Sequence, residues 1–144
     1  MKFFTLLINL ILGLVLSAQP TIKEILDSPF ASNLTVSRGG KTLAWVDNIA
    51  GERNIFIATG DQFSSVYKLT EYVGDQGISL SNLEFTPDGY NLVYVRGNTK
   101  NRQGEAANPG LLDEDTGQAI FIHSLNNRKK IKISKGSMPS ISHD

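Results

Sequence analysis

Asp115-Thr116-Gly117 spells the triplet that carries the catalytic carboxylate of aspartic proteases. That chemistry needs two such carboxylates sharing one proton in an apolar setting. Here the triplet follows Asp113-Glu114 in a polar stretch and has no second copy. Asp113-Glu114-Asp115 with Gly117 also suggests a calcium loop, but the EF-hand spacing and its bidentate glutamate are missing. A solvated acidic turn is the better reading. His123 ends an apolar run and His143 lies near the C-terminus, and the two share no metal-ligand spacing. Each reads as an ordinary surface or strand-end residue. Gly77-Ile78-Ser79-Leu80-Ser81 approaches the G-x-S-x-G nucleophile elbow but lacks its second glycine and its strand–turn–helix setting. Asn33-Leu34-Thr35 fits the glycosylation pattern, although its place on a strand favours a structural role. There are no cysteines, so a disulfide framework, a thiolate metal site and a cysteine nucleophile are excluded. No catalytic residue, cofactor site or metal site is expected within this chain.

The charge balance narrows the partners. Fourteen basic and fourteen acidic side chains leave no net field, which weighs against a nucleic-acid binder. A chain that is 40% hydrophobic and 19% charged suits a folded domain. Residues 1–18 read differently. Lys2, an apolar run from Phe3 to Leu16 and the small pair Ser17-Ala18 make a secretory signal peptide cleaved after Ala18. The run falls short of the about 20 apolar residues that span a bilayer; an uncleaved anchor is the alternative. The expected location is periplasmic or secreted, with no membrane contact after cleavage.

The elements that would position any site follow from an internal repeat. Ser32 to Val46 lies over Ser81 to Val95 at a constant offset of 49, with six identities in fifteen positions. Val36 meets Phe85, Ser37 meets Thr86, and Trp45 meets Tyr94. Asn54-Ile55-Phe56-Ile57 matches Ala119-Ile120-Phe121-Ile122. Ile141-Ser142-His143-Asp144 overlays Phe85-Thr86-Pro87-Asp88 at an offset of 56, with His143 in the place of Pro87. The C-terminus therefore reads as a truncation inside a third copy.

Each copy predicts four antiparallel strands. Leu34 to Ser37 and Leu83 to Thr86 come first. Then follows the turn Thr86-Pro87-Asp88-Gly89, where Pro87 presets φ, Asp88 bonds its own backbone and Gly89 takes the left-handed position. Ser37-Arg38-Gly39-Gly40 is the same turn without Pro and Asp. Leu43 to Val46, Leu92 to Val95, Ile55 to Ala58 and Ile120 to Ile122 are apolar on both faces and must be covered twice. Lys130-Ile131-Lys132-Ile133 alternates, as an outer edge strand does. The expected class is all-β: an incomplete β-propeller with two four-stranded blades and the start of a third. The parts are a leading segment 19–31 with a short helix, blade one at 32–74, blade two at 80–135 with an insertion at 97–117, and 137–144 opening blade three. A β-sandwich is the competing architecture and explains the repeated turns less well. Thr21-Ile22-Lys23-Glu24 has capping-box spacing and predicts about two turns of helix ending before Pro29. The short link Asp47 to Arg53 in blade one becomes Arg96 to about Gln118 in blade two. Such a loop either touches substrate or a neighbouring domain, or is simply solvated.

Taken together, Thr21-Ile22-Lys23-Glu24-Ile25-Leu26, the phrase from Asn33 to Val46, and Leu83-Glu84-Phe85-Thr86-Pro87-Asp88-Gly89 with the strand after it resemble a known family. They are similar to the start of bacterial exported serine peptidases of the prolyl oligopeptidase family, the dipeptidyl peptidase and acylaminoacyl peptidase kind. The resemblance covers residues 20–144. It implies a propeller that caps a C-terminal α/β-hydrolase domain and screens peptide substrates by size. The Ser, Asp and His of that domain have no counterparts in this chain. The first turn departs from the family phrase at Arg38 and Gly39. The Pro-Asp-Gly turn is shared with TolB-like propellers, so a non-enzymatic binding propeller of the cell envelope is the alternative.

Overall fold

A computed structural model describes residues 20–142. The expected signal peptide and the last two residues of the third copy, His143 and Asp144, lie outside the described residues. Helix α1 (Ile22–Asp27) opens the fold, as the capping spacing predicts. The Thr21 hydroxyl accepts from the Glu24 N–H at 3.2 Å, and the Glu24 carboxylate accepts from the Thr21 N–H at 2.7 Å. The Thr21 N–H, and then the Thr21 hydroxyl at 3.0 Å, both donate to the Glu24 carboxylate and hold it below its ordinary range. Ile22, Ile25 and Leu26 share one side as expected, yet all three are exposed.

Eight strands follow in two antiparallel sheets of four, each in sequential order. The first sheet holds β1 (Phe30–Val36), β2 (Leu43–Ile49), β3 (Glu52–Thr59) and β4 (Ser65–Lys68). The second holds β5 (Leu80–Phe85), β6 (Asn91–Arg96), β7 (Ala119–Ser124) and β8 (Lys130–Lys135). β1–β2 and β5–β6 are hairpins closed by matching tight turns. Gly40 N–H donates to Ser37 O and Gly89 N–H to Thr86 O, both at 2.8 Å. The hydroxyls of Ser37 and Thr86 then accept from Thr42 N–H and Asn91 N–H, both at 3.1 Å. The first turn keeps the geometry of the second without its Pro and Asp. Asp88, held below its usual carboxylate range by the Thr86 hydroxyl and the Tyr90 N–H, is an addition rather than a requirement.

Several boundaries differ from those expected. The first strands begin earlier, at Phe30 and Leu80, because each contains a bulge. Pairing slips between Ser32 and Thr35 in β1 and between Ser81 and Glu84 in β5. Asn33 (φ 53°) and Asn82 (φ 52°) hold the left-handed conformation there, which asparagine tolerates better than most residues. The strands also stop one residue early, since Ser37 and Thr86 turn their hydroxyls to the backbone. The link between β2 and β3 is no seven-residue connection but a two-residue turn, Ala50-Gly51, with φ of 51° and 88°. Strand β4 escaped sequence reading because four residues are too few to display a period.

Cross-strand partners share a face, so the register assigns the packing. Ala44, Val46, Ile55 and Ile57 of the first sheet meet Leu80, Leu83, Phe85, Leu92 and Tyr94 of the second in one core. Val93 and Val95 point to the opposite side and are also buried. The expectation of two covered faces holds for β6. In the first sheet one side is buried, and on the other Ala58 is buried while Leu43, Trp45 and Phe56 are half-buried, with Val36 and Val66 of the flanking strands more than half exposed. Strand β8 is exposed throughout, as an edge strand is.

Candidate functional site

Strands β1, β3, β5 and β7 start at the same end of the two sheets as β2 and β6 finish, and the 97–118 connection folds there. Its mouth is closed by backbone bonds, Gly97 N–H to Ser79 O at 3.0 Å and Asn98 N–H to Thr116 O at 2.7 Å. Asn98 anchors it. Its amide donates to Gly77 O (3.0 Å) and Ala107 O (2.8 Å), while its carbonyl accepts from the Ser79 N–H and hydroxyl, both at 3.2 Å. Asn108 repeats the device on a smaller scale, accepting from Leu112 N–H and donating to Leu112 O, both at 2.9 Å. With its polar groups spent internally, the connection has a defined shape, and Leu111 (φ 49°) stands 88% exposed at its turn.

Arg96 ties this loop to the sheet interface. Its guanidinium pairs with Glu114 at 2.8 Å, donates to the Gln76 side chain at 3.0 Å and lies 4.5 Å over the Tyr72 ring. Only 10% of that side chain is exposed, which favours the ring contact, while its ion-pair partner Glu114 is 59% exposed and stays in contact with water. The Tyr72 hydroxyl is 3.3 Å from that of Tyr94. Burial, then the neighbouring Tyr72, pushes the Tyr94 phenol far above its ordinary range. The space enclosed by Arg53, Tyr72, Ile78, Leu80 and Arg96 is 10 Å³, room for about one water. A wider cleft of 440 Å³ lies beside the loop, lined by Lys100, Asp115, Gln118, Lys135 and Ser137.

The described residues singled out from sequence each have a place. The acidic run does not converge: Glu114 goes to Arg96, and Asp115 to Lys135 at 2.7 Å. Lys135, the Gly117 N–H and Lys100 hold the Asp115 carboxyl down to about 2. Among the described residues, no three His, Asp or Glu side chains gather as a metal site. Ser79 serves Asn98, and the segment around it leads into β5 rather than a helix. Asn33 is the bulge residue, and its amide reaches Leu80 O at 3.4 Å.

Of its two readings His123 takes the strand end, next to last in β7, and it is 5% exposed there because Leu92, its partner across the sheet, faces the core. Its Nε2–H donates to Arg128 O at 3.0 Å and closes the β7–β8 hairpin. Its Nδ1 is buried without a partner. Burial first, then the charges of Lys130 and Arg128, lower its pKa against the opposing hydrogen bond. The folded chain keeps this ring neutral while the unfolded chain protonates near its ordinary 6.5. Stability is therefore full above about pH 6.5 and declines as pH falls toward the depressed folded value. Urea titrations at pH 7.5 and 5.0 should place the midpoint lower at pH 5.0, and His123→Gln should shrink the difference. An equal drop in both proteins would assign the effect to other groups.

Gly77 gives the loop a second test. It sits at φ 62°, and a Cβ there would collide with the Pro109 ring. Gly77→Ala should loosen the 97–118 loop while leaving the sheets intact. The measurement is amide exchange, faster at Asn98 and Leu112 and unchanged in β6.

Asn98, Arg96 and Tyr72 were not foreseen as a group, for they lie 20 or more residues apart or in a loop with no period. The one signal was compositional: Gly and Pro punctuate the stretch where the loop must bend sharply. The arrangement defines a two-sheet β protein with a charged, internally braced loop at one end. No family model, curated protein or solved structure matches the chain. Among the described residues, no helix is long and apolar enough to cross a membrane.

Proposed function

We propose that the chain is the N-terminal part of a β-propeller that caps the catalytic domain of an exported serine peptidase acting on short peptides. The propeller reading rests on one observation above all. Asn33 in the bulge of β1 donates to Leu80 O, where the next first strand begins. Asn82 in the bulge of β5 donates in the same way to Ser137 O. The reading takes residues 137–142 to stand to β5 as β5 stands to β1; their exposure alternates, with Met138 outward and Pro139 and Ile141 half-buried. A unit that hands on to a successor by the same bond is how a ring of blades is built. The peptidase reading is supported by the resemblance carried by the leading helix and the Pro-Asp-Gly phrase. The 97–118 loop is then a rim element beside the passage to the catalytic domain, and peptide entering there would meet Lys100 and Lys135 before any nucleophile.

The test is on the native product. An antibody raised to 97–117 should capture from the cell envelope a protein of roughly 600 residues or more, the size of a propeller with a catalytic domain. A fluorophosphonate probe should label its serine. Capture of an unlabelled protein of a few hundred residues would give the TolB-like binding propeller instead.

A further inference from the structure

His123 has a polar atom to spare, and the cleft it lines holds charge without a counterion. That cleft measures 260 Å³ and lies between the chain leaving β4 and the β7–β8 hairpin. Leu69, Thr70 and Glu71 form one wall, and His123, Arg128 and Lys130 the other. Both walls belong to the two sheets and the link between them. The Thr70 hydroxyl is already spent, accepting from the Ile55 N–H and donating to the Asn54 carbonyl, both at 2.9 Å. The two cations are not. Among the described residues neither Arg128 nor Lys130 enters an ion pair. Each lies over rings instead, Arg128 at 5.2 Å from the Tyr67 centroid and Lys130 at 5.0 Å from Tyr72 and 5.8 Å from Phe121. Such contacts steady the long side chains at little cost to the charge at their ends.

We infer that this cleft binds a small carboxylate, held by Arg128 and Lys130 and gripped more tightly when His123 takes up a proton. A guanidinium fork suits the two oxygens of a carboxylate, and buried Leu69 offers an apolar wall to the carbon end. With His123 neutral, Arg128, Lys130 and Glu71 leave one net positive charge, which a monoanion matches. A phosphate group carries nearly two charges at neutral pH and would press on Glu71. The proton comes from solvent and goes to Nδ1, because Nε2–H is committed to Arg128 O. Without an anion, burial and the two cations oppose that proton. A bound carboxylate offsets both cations and gives the imidazolium a countercharge. Tyr67 on β4, Glu71 and Tyr72 on the segment after it, and Arg128 and Lys130 on the hairpin surround this corner. Of these only Glu71 is negative. The inference uses this corner alone and stands whether or not the peptidase reading does.

The test is an NMR titration of the full chain with acetate, against chloride at equal ionic strength. The His123 ring signals, assigned by their loss in His123→Gln, should shift saturably with acetate and not with chloride. Saturating acetate should raise the His123 titration midpoint by about one pH unit. By reciprocity, ionised acetate should then bind up to about tenfold more tightly as pH falls through the two midpoints. Lys130→Met keeps the apolar stem over Tyr72 without the charge and should weaken binding about tenfold. Lys129→Gln removes an exposed neighbouring charge outside the cleft and should leave binding unchanged. Chloride acting as acetate does, or Lys129→Gln losing as much as Lys130→Met, overturns the inference by reducing the site to diffuse surface charge. So does acetate binding that ignores the titration of His123.

Discussion

Tyr94→Ala should destabilise the chain by about 3–5 kcal/mol, the usual cost of emptying a large buried aromatic site. Tyr94 is fully buried between the sheets, stacked on Phe121 and facing Ala44, Val46, Ile55 and Ile57 across the core. No side chain nearby can fill the space, because Leu92 in the same strand and Phe85 in the neighbouring one are already packed. Tyr94→Phe keeps the ring and removes one hydroxyl contact, 3.3 Å from Tyr72, so its cost should stay near 1 kcal/mol. Urea denaturation measures both. A small loss for Tyr94→Ala with an unchanged slope would mean that the sheets are not held by this core.

The difference between these two substitutions also marks what the sequence could convey. Tyr94 was readable as interior, since Leu92 to Val95 are apolar on both faces and such a strand has no side to give to water. The turns were readable too, because Gly40 and Gly89 do local work that depends on a few adjacent atoms. Asn33 and Asn82 were visible as a repeated identity, but their use was not. A left-handed residue inside a strand and an amide reaching the next repeat are facts of three dimensions, and they moved the strand starts to Phe30 and Leu80. His123 could be read only as a surface or strand-end residue for a related reason. A histidine at the end of a strand has no preferred side, and only pairing with Leu92 turned it inward. The 97–118 loop showed its length and flexible punctuation, while the bonds of Asn98 and the pairing of Arg96 with Glu114 join positions that no period connects.

Asn54 is the strongest case of a residue whose role only the fold reveals, and its replacement should cost about 3 kcal/mol. It is 1% exposed on β3, opposite Asp47 in the register. Its carbonyl accepts from the Thr70 hydroxyl at 2.9 Å and the Tyr72 N–H at 2.8 Å, while its amide donates to Tyr72 O at 2.9 Å and Glu52 at 3.0 Å. These bonds pin the chain that leaves β4 and crosses to the second sheet, and they place Tyr72 beneath Arg96. Asn54→Leu fills the space but leaves the Tyr72 N–H and C=O without partners, and each such group costs about 1–3 kcal/mol. Asn54→Asp separates the donor from the acceptor. It keeps an oxygen for Thr70 and Tyr72 N–H but turns a second, charged one toward Tyr72 O and the Glu52 carboxylate. Repulsion there raises the pKa of the new carboxyl, so this variant should regain stability as pH falls and the carboxyl protonates. That slope is opposite in sign to the one assigned to His123. Urea midpoints for Asn54→Asp that fall with pH as steeply as the parent's would show that the amide's donor side contributes nothing, and that Tyr72 is held by its ring contact with Arg96 alone.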